Sequence, residues 1–595
     1  MLSTEEIREF LLSEDAQFGI ADYTVFILLL AVSLAIGFYY GLCQPKSTQS
    51  AENYLLGGRK MSVFPISMSL IASFMSAITL LGTPAEIYRF GTMYLWSSLS
   101  FFLVIPAAAY LYMPVFFDLE VISAYQYLEM RFHRSLRYIG ATVFAIQMSI
   151  YMAIVVYAPS LALAQVTSIS VHVSVVVIFA VCILYTSVGG IKAVLWTDTV
   201  QVFIMYGAML AIVVKGTLDV GGVSTVWDTA LKLDRIDFNN FDPNPGIRHT
   251  FWTLVVGGYF TWVTIYGVNQ AQVQRYLCVP TKRQAAIGIW INCLGLTVLM
   301  LLCGYAGLVI YAHFHSCHPI QPGVVSTTDQ LFPLFVMHLM GDIYGVPGLF
   351  VAGIFSGALS TVSSGINSLA AVTLQDFVIP FRTKPISPSV QANISKLLAV
   401  FFGILAFGLV FVAEQLGDVL QAALSIFGMV GGPLLGIFTL GMFIPWANWK
   451  GALAGTFSAL CFIFWIGIGF QVEKKAGKIH IPKLDFRTDG CEAFNQTLTT
   501  TPPSASTQAD EGGTLGLYYL SYMYYSMVSC LTSIIVGVVV SAITGFNDPK
   551  EMNPQLIVPL GDRLFPYLSE KWRRKLNFHV GENYGEGQKI EMAAH

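Results

Sequence analysis

Charged residues are scarce in this sequence: they make up 11% of its 595 residues, where a typical soluble domain carries about a quarter. The formal net charge is only −3, and there is no basic stripe interleaved with aromatic residues, which argues against nucleic-acid binding. The sequence also shows no recognisable pairing of a nucleophile with a base and no cluster of metal-ligating residues. These absences argue against an enzyme.

Hydrophobic residues make up 55% of the chain, in runs that repeatedly exceed the ~20 residues that a helix needs to cross a bilayer. The sequence therefore predicts an all-α polytopic membrane protein and excludes a soluble enzyme. We expect about thirteen transmembrane helices, near residues 23–42, 62–85, 93–115, 137–165, 170–189, 193–215, 250–275, 284–313, 347–378, 395–413, 417–444, 451–470 and 518–545.

Basic residues in the short loops predict the orientation, because cytoplasmic loops carry the excess of Lys and Arg. They occur in alternate loops, which places the N-terminus outside and the C-terminus inside. The residues on the predicted cytoplasmic side include Lys46, Arg59, Lys60, Arg131, Arg134, Arg137, Lys192, Arg275, Lys282, Arg283, Arg382, Lys384, Lys396 and Lys450. The loop 471–517 does not follow this pattern, because it is predicted to be external and yet contains four lysines. Long external loops tolerate basic residues better than short ones.

The predicted external loops carry two features that have meaning outside the cell. Asn495 begins an Asn-x-Thr glycosylation acceptor. Cys317 and Cys491 both lie in these loops, and we expect them to form a disulfide, although two external cysteines can equally stay unpaired. The polar residues 546–595 are predicted to be a partly disordered cytoplasmic tail.

The stretch 353–371 lacks charge, as a membrane helix does, but it is too rich in hydroxyl groups to face lipid. At 3.6 residues per turn its small and oxygen-bearing side chains fall on one stripe, which must face protein or an aqueous cavity. Two interpretations are open: close packing against a neighbouring helix, or binding of a small hard cation by hydroxyl and carbonyl oxygens. The stripe consists of Gly353, Gly357, Ser360, Thr361, Ser364 and Asn367.

Two polar segments, 71–84 and 257–270, interrupt apolar runs and lie five predicted spans apart. Interrupted helices at matched positions of two inverted halves often mark a transporter's binding site, although Gly and Pro are also common in membrane helices generally. The spacing predicts two inverted five-helix repeats. The predicted organisation is an N-terminal part with the first anchor helix (1–61), the first repeat (62–216), an external loop (217–249), the second repeat (250–444), two peripheral helices with the long external loop (445–545) and the tail (546–595).

Asp198 lies near the predicted cytoplasmic start of a span. It is interpreted either as a helix N-cap or as a functional acid at membrane depth, and the two roles can coexist. No Lys or Arg falls near the middle of a predicted span, with Arg89 and Arg275 at the ends. The charge of an anionic cargo would then have to be met by co-bound cations, helix N-termini and hydroxyl groups, which gives a physical reason for cation and anion to travel together.

Three motifs resemble those of a known family: GGIKAVLWTD at 189–198, GVNQAQVQRY at 267–276 and LSTVSS at 359–364. With them, residues 20–470 resemble the solute:sodium symporters, in the branch that holds monocarboxylate, multivitamin and iodide carriers. The segments most similar to monocarboxylate carriers are 72–82, 248–253 and 260–262, whereas 419–433 is at least as similar to multivitamin carriers.

The resemblance implies a LeuT-like core of inverted repeats, alternating access, co-transported sodium and no resident cofactor. The implied sodium site consists of the hydroxyls of Ser360 and Thr361 and the carbonyls of Ala72, Met75 and Gly357, with Asp198 linked to sodium handling. The implied substrate residues are Thr79, Trp262, Gln421 and Leu424. Thr79 stands where sugar and iodide carriers have a glutamine, which argues against those cargoes.

The leading hypothesis is therefore a multi-pass plasma-membrane symporter that couples sodium entry to uptake of a small organic monocarboxylate. The close alternative is a carrier of biotin- or pantothenate-like carboxylates. From a different class, the chain could be a sodium-leak channel or a non-transporting sensor on the same scaffold. The expected partners are sodium ions, the carboxylate and the lipid bilayer, without nucleic acid.

Overall fold

The computed structural model describes residues 18–43, 50–74, 76–167, 169–316, 318–319, 328–341, 343–414, 419–479, 481–486 and 515–584, and in these ranges the chain is helical without a β-strand. The principal helices are α1 (Ile20–Leu42), α2 (Val63–Phe74), α3 (Ala77–Phe90), α4 (Thr92–Asp118), α5 (Arg134–Val166), α6 (Val171–Val220), α7 (Val223–Lys232), α8 (252–268), α9 (Gln270–Tyr276), α10 (Lys282–His313), α11 (Leu331–Met340), α12 (Val346–Val372), α13 (Pro388–Ala413), α14 (Val419–Phe443), α15 (Trp449–Lys475) and α16 (Tyr525–Thr544).

Within the described ranges, ten helices are long and apolar enough to cross a membrane, or eleven if α2 and α3 form one bent span. Two features account for the difference from the predicted thirteen. Helix α6 is 50 residues long and covers two predicted spans, and the predicted span 250–275 is divided between α8 and α9. The all-helical membrane architecture is thus present, and the count of thirteen stays a prediction.

Helix α6 bends at Gly190, where the backbone has φ of 61° and ψ of −157°. An L side chain is strained in this region, and a Cβ atom at Gly190 would also lie 2.7 Å from the carbonyl oxygen of Tyr54. The Tyr54 hydroxyl lies 3.0 Å from the carbonyl oxygen of Thr186 and 3.2 Å from that of Ser187, in the turn before the bend, and can donate to either. The glycine and the tyrosine together allow one helix to follow two directions.

Both predicted interruptions are present. The axes of α2 and α3 differ by 51°, and Ser76 caps α3 by accepting from the N–H of Ile78 at 3.2 Å. Helix α8 ends before Asn269, which has extended backbone (ψ of 128°) and caps α9 by accepting from the N–H of Ala271 at 2.9 Å. In each case a side-chain oxygen satisfies an N–H group that the break leaves unpaired.

Burial separates a central helix from peripheral ones. In the span that contains α12, 94% of the residues in the apolar segment are buried inside the protein. The corresponding share is 28% in α1 and 33% in α13 and α15. Helix α12 contacts α1, α2, α5, α6 and α13. Its hydroxyl-bearing stripe therefore faces protein on all sides, whereas the outer helices present apolar side chains outward, as lipid contact requires.

Part of the predicted tail packs against the helical bundle, within the described residues 546–584. The expectation of partial disorder for 546–595 stays a prediction. The N–H of Val558 donates to the carbonyl of Met442 at 2.9 Å, and the hydroxyl of Tyr127 donates to the carbonyl of Leu556 at 3.0 Å. Leu556 and Val558 are both buried. A few apolar positions anchor a segment whose average composition is polar.

Candidate functional site

A buried polar junction lies where α2, α6, α9 and α12 meet. Arg275 donates from Nε to the Ser69 hydroxyl at 2.7 Å and from Nη2 to the hydroxyls of Ser73 (2.5 Å) and Ser364. Ser69 donates to Oδ2 of Asp198 at 2.5 Å, and Nη2 of Arg275 lies 3.7 Å from the same oxygen. All five side chains are buried. One ion pair and three serine hydroxyls thus join four helices.

An oxygen cluster, defined here as Ser73, Gly357, Ser360 and Thr361, lies beside this junction at the end of α2. The Thr361 hydroxyl lies 2.9 Å from the carbonyl of Ser73 and 2.9 Å from that of Gly357. A hydroxyl has one proton and donates to one acceptor at a time. The Ser360 hydroxyl is buried, faces the Asp198 carboxylate, and has no partner within hydrogen-bond distance in the part of the chain that is described. Two carbonyl and two hydroxyl oxygens thus belong to one cluster, and neutral oxygens of this kind are the ligands that a small hard cation prefers.

The remaining predicted sodium residues adjoin this cluster in different ways. Ala72 is buried in the last turn of α2, directly before Ser73, so its carbonyl belongs to the same helix end. Met75 falls outside the described residues. The break between α2 and α3 explains why carbonyls are available here, because the last turn of a helix has no intrahelical partners for them.

Asp198 does not cap a helix, which corrects that interpretation. It lies eight residues beyond the bend at Gly190, inside α6 and fully buried. Arg275 also differs from expectation: although it was placed at the end of a span, its side chain is only 1% exposed and faces the Asp198 carboxylate. The protein core thus contains a fixed basic residue, contrary to the sequence-based expectation. Oδ1 of Asp198 makes no hydrogen bond with the described residues.

A cavity of about 30 Å³ lies between α3, α4, α5, α8, α10 and α14. Its wall includes Thr79, Trp262 and Leu424, three of the four predicted substrate residues. The indole N–H of Trp262 has no hydrogen-bond partner among the described residues. The other wall residues are Ser76, Ile78, Tyr94, Phe101, Tyr151, Ile265, Met300, Leu420, Ala423 and Phe427. The volume holds about one or two water molecules, so the cavity is closed in this conformation.

The fourth predicted substrate residue, Gln421, lies outside the cavity wall, in what we define as the Arg248 layer. Oε1 of Gln421 accepts from Nη1 of Arg248 at 2.9 Å, and Nε of Arg248 donates to Oε1 of Glu86 at 2.7 Å. Nε2 of His249 lies 3.1 Å from the same Glu86 oxygen. The layer consists of Glu86, Phe90, Arg248, His249, Gln421 and Tyr522.

A second buried charged cluster connects the beginning of α5 with the residues after α12. Nε of Arg137 donates to Oδ1 of Asp376 at 2.6 Å, and Nη1 donates to Oε2 of Glu129 at 2.5 Å. The hydroxyl of Ser123 donates to the other oxygen of Asp376. This cluster and the Arg248 layer fix different ends of the helices that surround the site.

Sequence reasoning missed Ser69, Ser73 and Arg275 as members of the junction. One signal was available: Ser69 and Ser73 are four residues apart and so lie on one face of α2, as the stripe does on α12. No local pattern indicated that α9 would carry Arg275 inward. The glycosylation acceptor Asn495 and the cysteines Cys317 and Cys491 lie outside the described residues and remain predictions.

The model of the sodium:solute symporter family matches residues 54–458. The chain belongs to the sodium:solute symporter family. This symporter is 42% identical to the sodium-coupled monocarboxylate transporter 2 of Mus musculus, over 93% of its own chain and 88% of the relative. It is 41% identical to the sodium-coupled monocarboxylate transporter 1 of Homo sapiens (92% and 91%) and 42% identical to the sodium-dependent multivitamin transporter of Oryctolagus cuniculus (94% and 88%).

Among solved structures, the symporter resembles a Na⁺-coupled sialic acid symporter in a substrate-bound outward-open state. The TM-score is 0.72 at 23% identity, and the match covers 89% of this chain and 99% of the other. At this identity the likeness supports the fold alone. Family membership and the apolar helices together identify a multi-pass plasma-membrane transporter and not an enzyme.

Proposed function

We propose that this symporter imports small organic monocarboxylate anions with sodium by alternating access. The observation that carries the proposal is the oxygen cluster at Thr361, where neutral carbonyl and hydroxyl oxygens lie together beside a broken helix and near a small cavity. Relatives named for monocarboxylates, at 41% and 42% identity over most of the chain, support this substrate class.

The sodium ion would be held by the hydroxyls of Ser360 and Thr361 and by the carbonyls of Ala72, Met75 and Gly357. The carbonyl of Ser73, 2.9 Å from the Thr361 hydroxyl, is a further candidate ligand. Neutral oxygens suit a transported cation, because they replace its water shell without adding a full negative charge that would oppose release. Among the described residues no group of three or more His, Cys, Asp or Glu side chains offers an alternative metal site.

Asp198 would act near this site and not as a direct ligand in the closed state. Arg275 and Ser69 compensate one of its carboxylate oxygens, while Oδ1 makes no hydrogen bond with the described residues. A sodium ion that leaves the oxygen cluster could therefore meet a carboxylate whose charge is already partly balanced. Such a position would bind the ion weakly enough for onward release.

The cavity wall offers a carboxylate few but directional donors. The indole N–H of Trp262 is available, and the hydroxyl groups of Ser76, Thr79 and Tyr151 lie in the same wall. The remaining wall is apolar and would contact an alkyl group. Because about 30 Å³ is too small for a carboxylic acid, the helices around the cavity must move apart to admit substrate.

We further propose the finer topology predicted from the sequence: thirteen spans, two inverted five-helix repeats and an external N-terminus. The bend at Gly190 and the break at Asn269 support it, because each divides a helical stretch at a predicted span boundary or interruption. Under this orientation the Arg248 layer lies on the external side of the cavity.

Each sodium ion moving through ~100 mV supplies about 2.3 kcal/mol, which can drive uptake of an anion that the potential repels.

Radiolabelled uptake in a heterologous cell tests the proposal. We expect lactate or butyrate to accumulate with external sodium and not when choline replaces it. Accumulation of biotin or pantothenate instead would establish the multivitamin alternative. A sodium current that no solute changes would indicate a leak channel, and the absence of both flux and current would indicate a sensor.

A further inference from the structure

Arg248 connects two helices that line the cavity and that must separate for it to open. Its guanidinium donates to Glu86 on α3 at 2.7 Å and to Gln421 on α14 at 2.9 Å. Glu86 lies seven residues beyond Thr79, two turns along the same face of α3, and Gln421 lies three residues before Leu424. Both partners of Arg248 are thus one or two turns from the cavity wall.

Aromatic rings complete the enclosure of the guanidinium. Its central carbon lies 4.4 Å from the ring centroid of Phe90 and 4.9 Å from that of Tyr522. The His249 ring lies 5.4 Å from the ring of Tyr94, which belongs to the cavity wall. The Arg248 side chain is 10% exposed and that of Glu86 is 5% exposed. The layer therefore adjoins the cavity wall and is itself nearly inaccessible to solvent.

We propose that Arg248 is the closing contact of an outer gate and the first group that binds the carboxylate of an incoming substrate. The substrate class rests on the proposed function, whereas the gate does not depend on it. Glu86 is itself a carboxylate held by the guanidinium, so its contact has the geometry that a substrate carboxylate would adopt. An exchange of Glu86 for the substrate keeps the arginine paired, and Glu86 keeps its contact with Nε2 of His249 at 3.1 Å. Both contacts matter because a buried charge without a partner is strongly unfavourable.

The exchange assigns different roles to Arg248, Gln421 and Glu86. Arg248 supplies the positive charge that recognises the anion, and Gln421 joins it to the helix that carries Leu424 into the cavity. Glu86 holds the arginine when substrate is absent. Loss of Arg248 should therefore weaken substrate binding, whereas loss of the Glu86 charge should weaken closure.

The first experiment measures sodium-dependent L-lactate uptake by cells expressing the full chain, normalised to surface protein. We expect Arg248→Gln to raise the half-saturating lactate concentration on the order of tenfold or more, as loss of a charge-assisted hydrogen bond implies. Arg248→Lys should restore most of the affinity, because the charge remains. Glu86→Gln should leave the half-saturating concentration unchanged or lower it. Lactamide, which lacks the carboxylate, should not compete in any variant.

The second experiment measures the gate without substrate. Leu420, in the cavity wall, is replaced by cysteine, and its labelling by a membrane-impermeant thiol reagent is compared with that of the parent chain. We expect labelling to be several times faster when Glu86→Gln is added. This readout stays valid if the symporter carries another solute, so failure of the gate and failure of the proposed substrate class are distinguishable.

Three results would overturn the inference. One is an equal rise of the half-saturating lactate concentration in Glu86→Gln and Arg248→Gln, because general disruption of the layer would explain it. Another is an unchanged labelling rate in the Glu86→Gln background. A loss of surface protein in both variants, with unchanged affinity and labelling in the molecules that remain, would likewise show a purely structural ion pair.

Discussion

The oxygen cluster, on α2 and α12, and the Arg248 layer, which joins α3 to α14, both bury polar atoms, but their chemistry differs. The cluster contains neutral hydroxyl and carbonyl oxygens, with Thr361 2.9 Å from two carbonyls. The layer contains formal charges, with Arg248 2.7 Å from Glu86. A cation in transit is best served by dipoles that release it again, whereas a carboxylate can be exchanged between charged partners.

The polar junction between Asp198 and Arg275 contains formal charges, as the Arg248 layer does, although it adjoins the neutral oxygen cluster. Its two charged groups lie 3.7 Å apart, the Ser69 hydroxyl bridges them, Ser73 accepts from Arg275, and both charges are buried. We infer that the junction serves structure first, because removing one partner of a buried ion pair leaves a charge that the interior cannot solvate. This contrast leads to the following predictions.

The largest effect is expected for Arg275→Met. The substitution leaves Asp198 buried without its charge partner, which should destabilise the fold by about 3–5 kcal/mol. Surface abundance and the thermal stability of the detergent-purified protein measure this loss. Adding Asp198→Asn should recover part of the stability, and a single variant as stable as the natural chain would show that the pair carries no such role.

The next largest effect is expected for the double variant Ser360→Ala and Thr361→Ala. It removes two oxygen ligands and hardly changes packing, so the half-saturating sodium concentration should rise on the order of tenfold, or about 1.4 kcal/mol. The matched control is Thr361→Ser, which keeps the hydroxyl. Sodium activation like that of the natural chain in the double variant would show that the stripe on α12 only packs against its neighbours.

A smaller effect is expected in the cavity wall. Trp262→Phe removes the indole N–H and one of the two fused rings while keeping an aromatic face, so carboxylate affinity should fall by at least the threefold to tenfold that about one lost hydrogen bond implies. Thr79→Gln should change the order in which lactate, butyrate and nicotinate compete. An identical competition profile in both variants would remove these residues from the substrate site.

The smallest effect is expected at the bend in α6. Tyr54→Phe removes a hydroxyl that donates to the carbonyl of Thr186 or Ser187, so the free energy of unfolding should fall by about 1 kcal/mol, with unchanged sodium affinity. Tyr39→Phe, at an exposed tyrosine, is the matched control. Equal thermal stability of the two variants would show that the bend does not depend on this contact.

Much of the helical architecture could be predicted from the sequence, because membrane helices are long, apolar and locally determined. The interruptions near Ser76 and Asn269 were also predictable, since Gly, Pro and polar residues disturb an apolar run. The bend at Gly190 falls between the predicted spans 170–189 and 193–215, so its position could also be predicted. The sequence did not show how the two parts are held, because Tyr54 from another segment contacts the turn before the bend.

The partners across the site could not be predicted, because they depend on tertiary contacts. Arg275 looked like a residue at a span end, yet α9 carries it into contact with Asp198 on α6. Arg248 looked like part of an external loop, yet it is enclosed between α3 and α14. In both cases the sequence contains a basic residue near a boundary, and only the packing shows which acid it meets.

Substrate-dependent uptake of radiolabelled sodium tests the central claim most directly. In cells expressing the natural chain, addition of lactate should stimulate sodium entry, and sodium should in turn stimulate lactate entry. In the Ser360→Ala and Thr361→Ala double variant both fluxes should fall together at a fixed sodium concentration, while Thr361→Ser retains them. Lactate uptake that stays at the level of the natural chain after the double substitution, or that proceeds without sodium entry, would contradict coupling through the oxygen cluster.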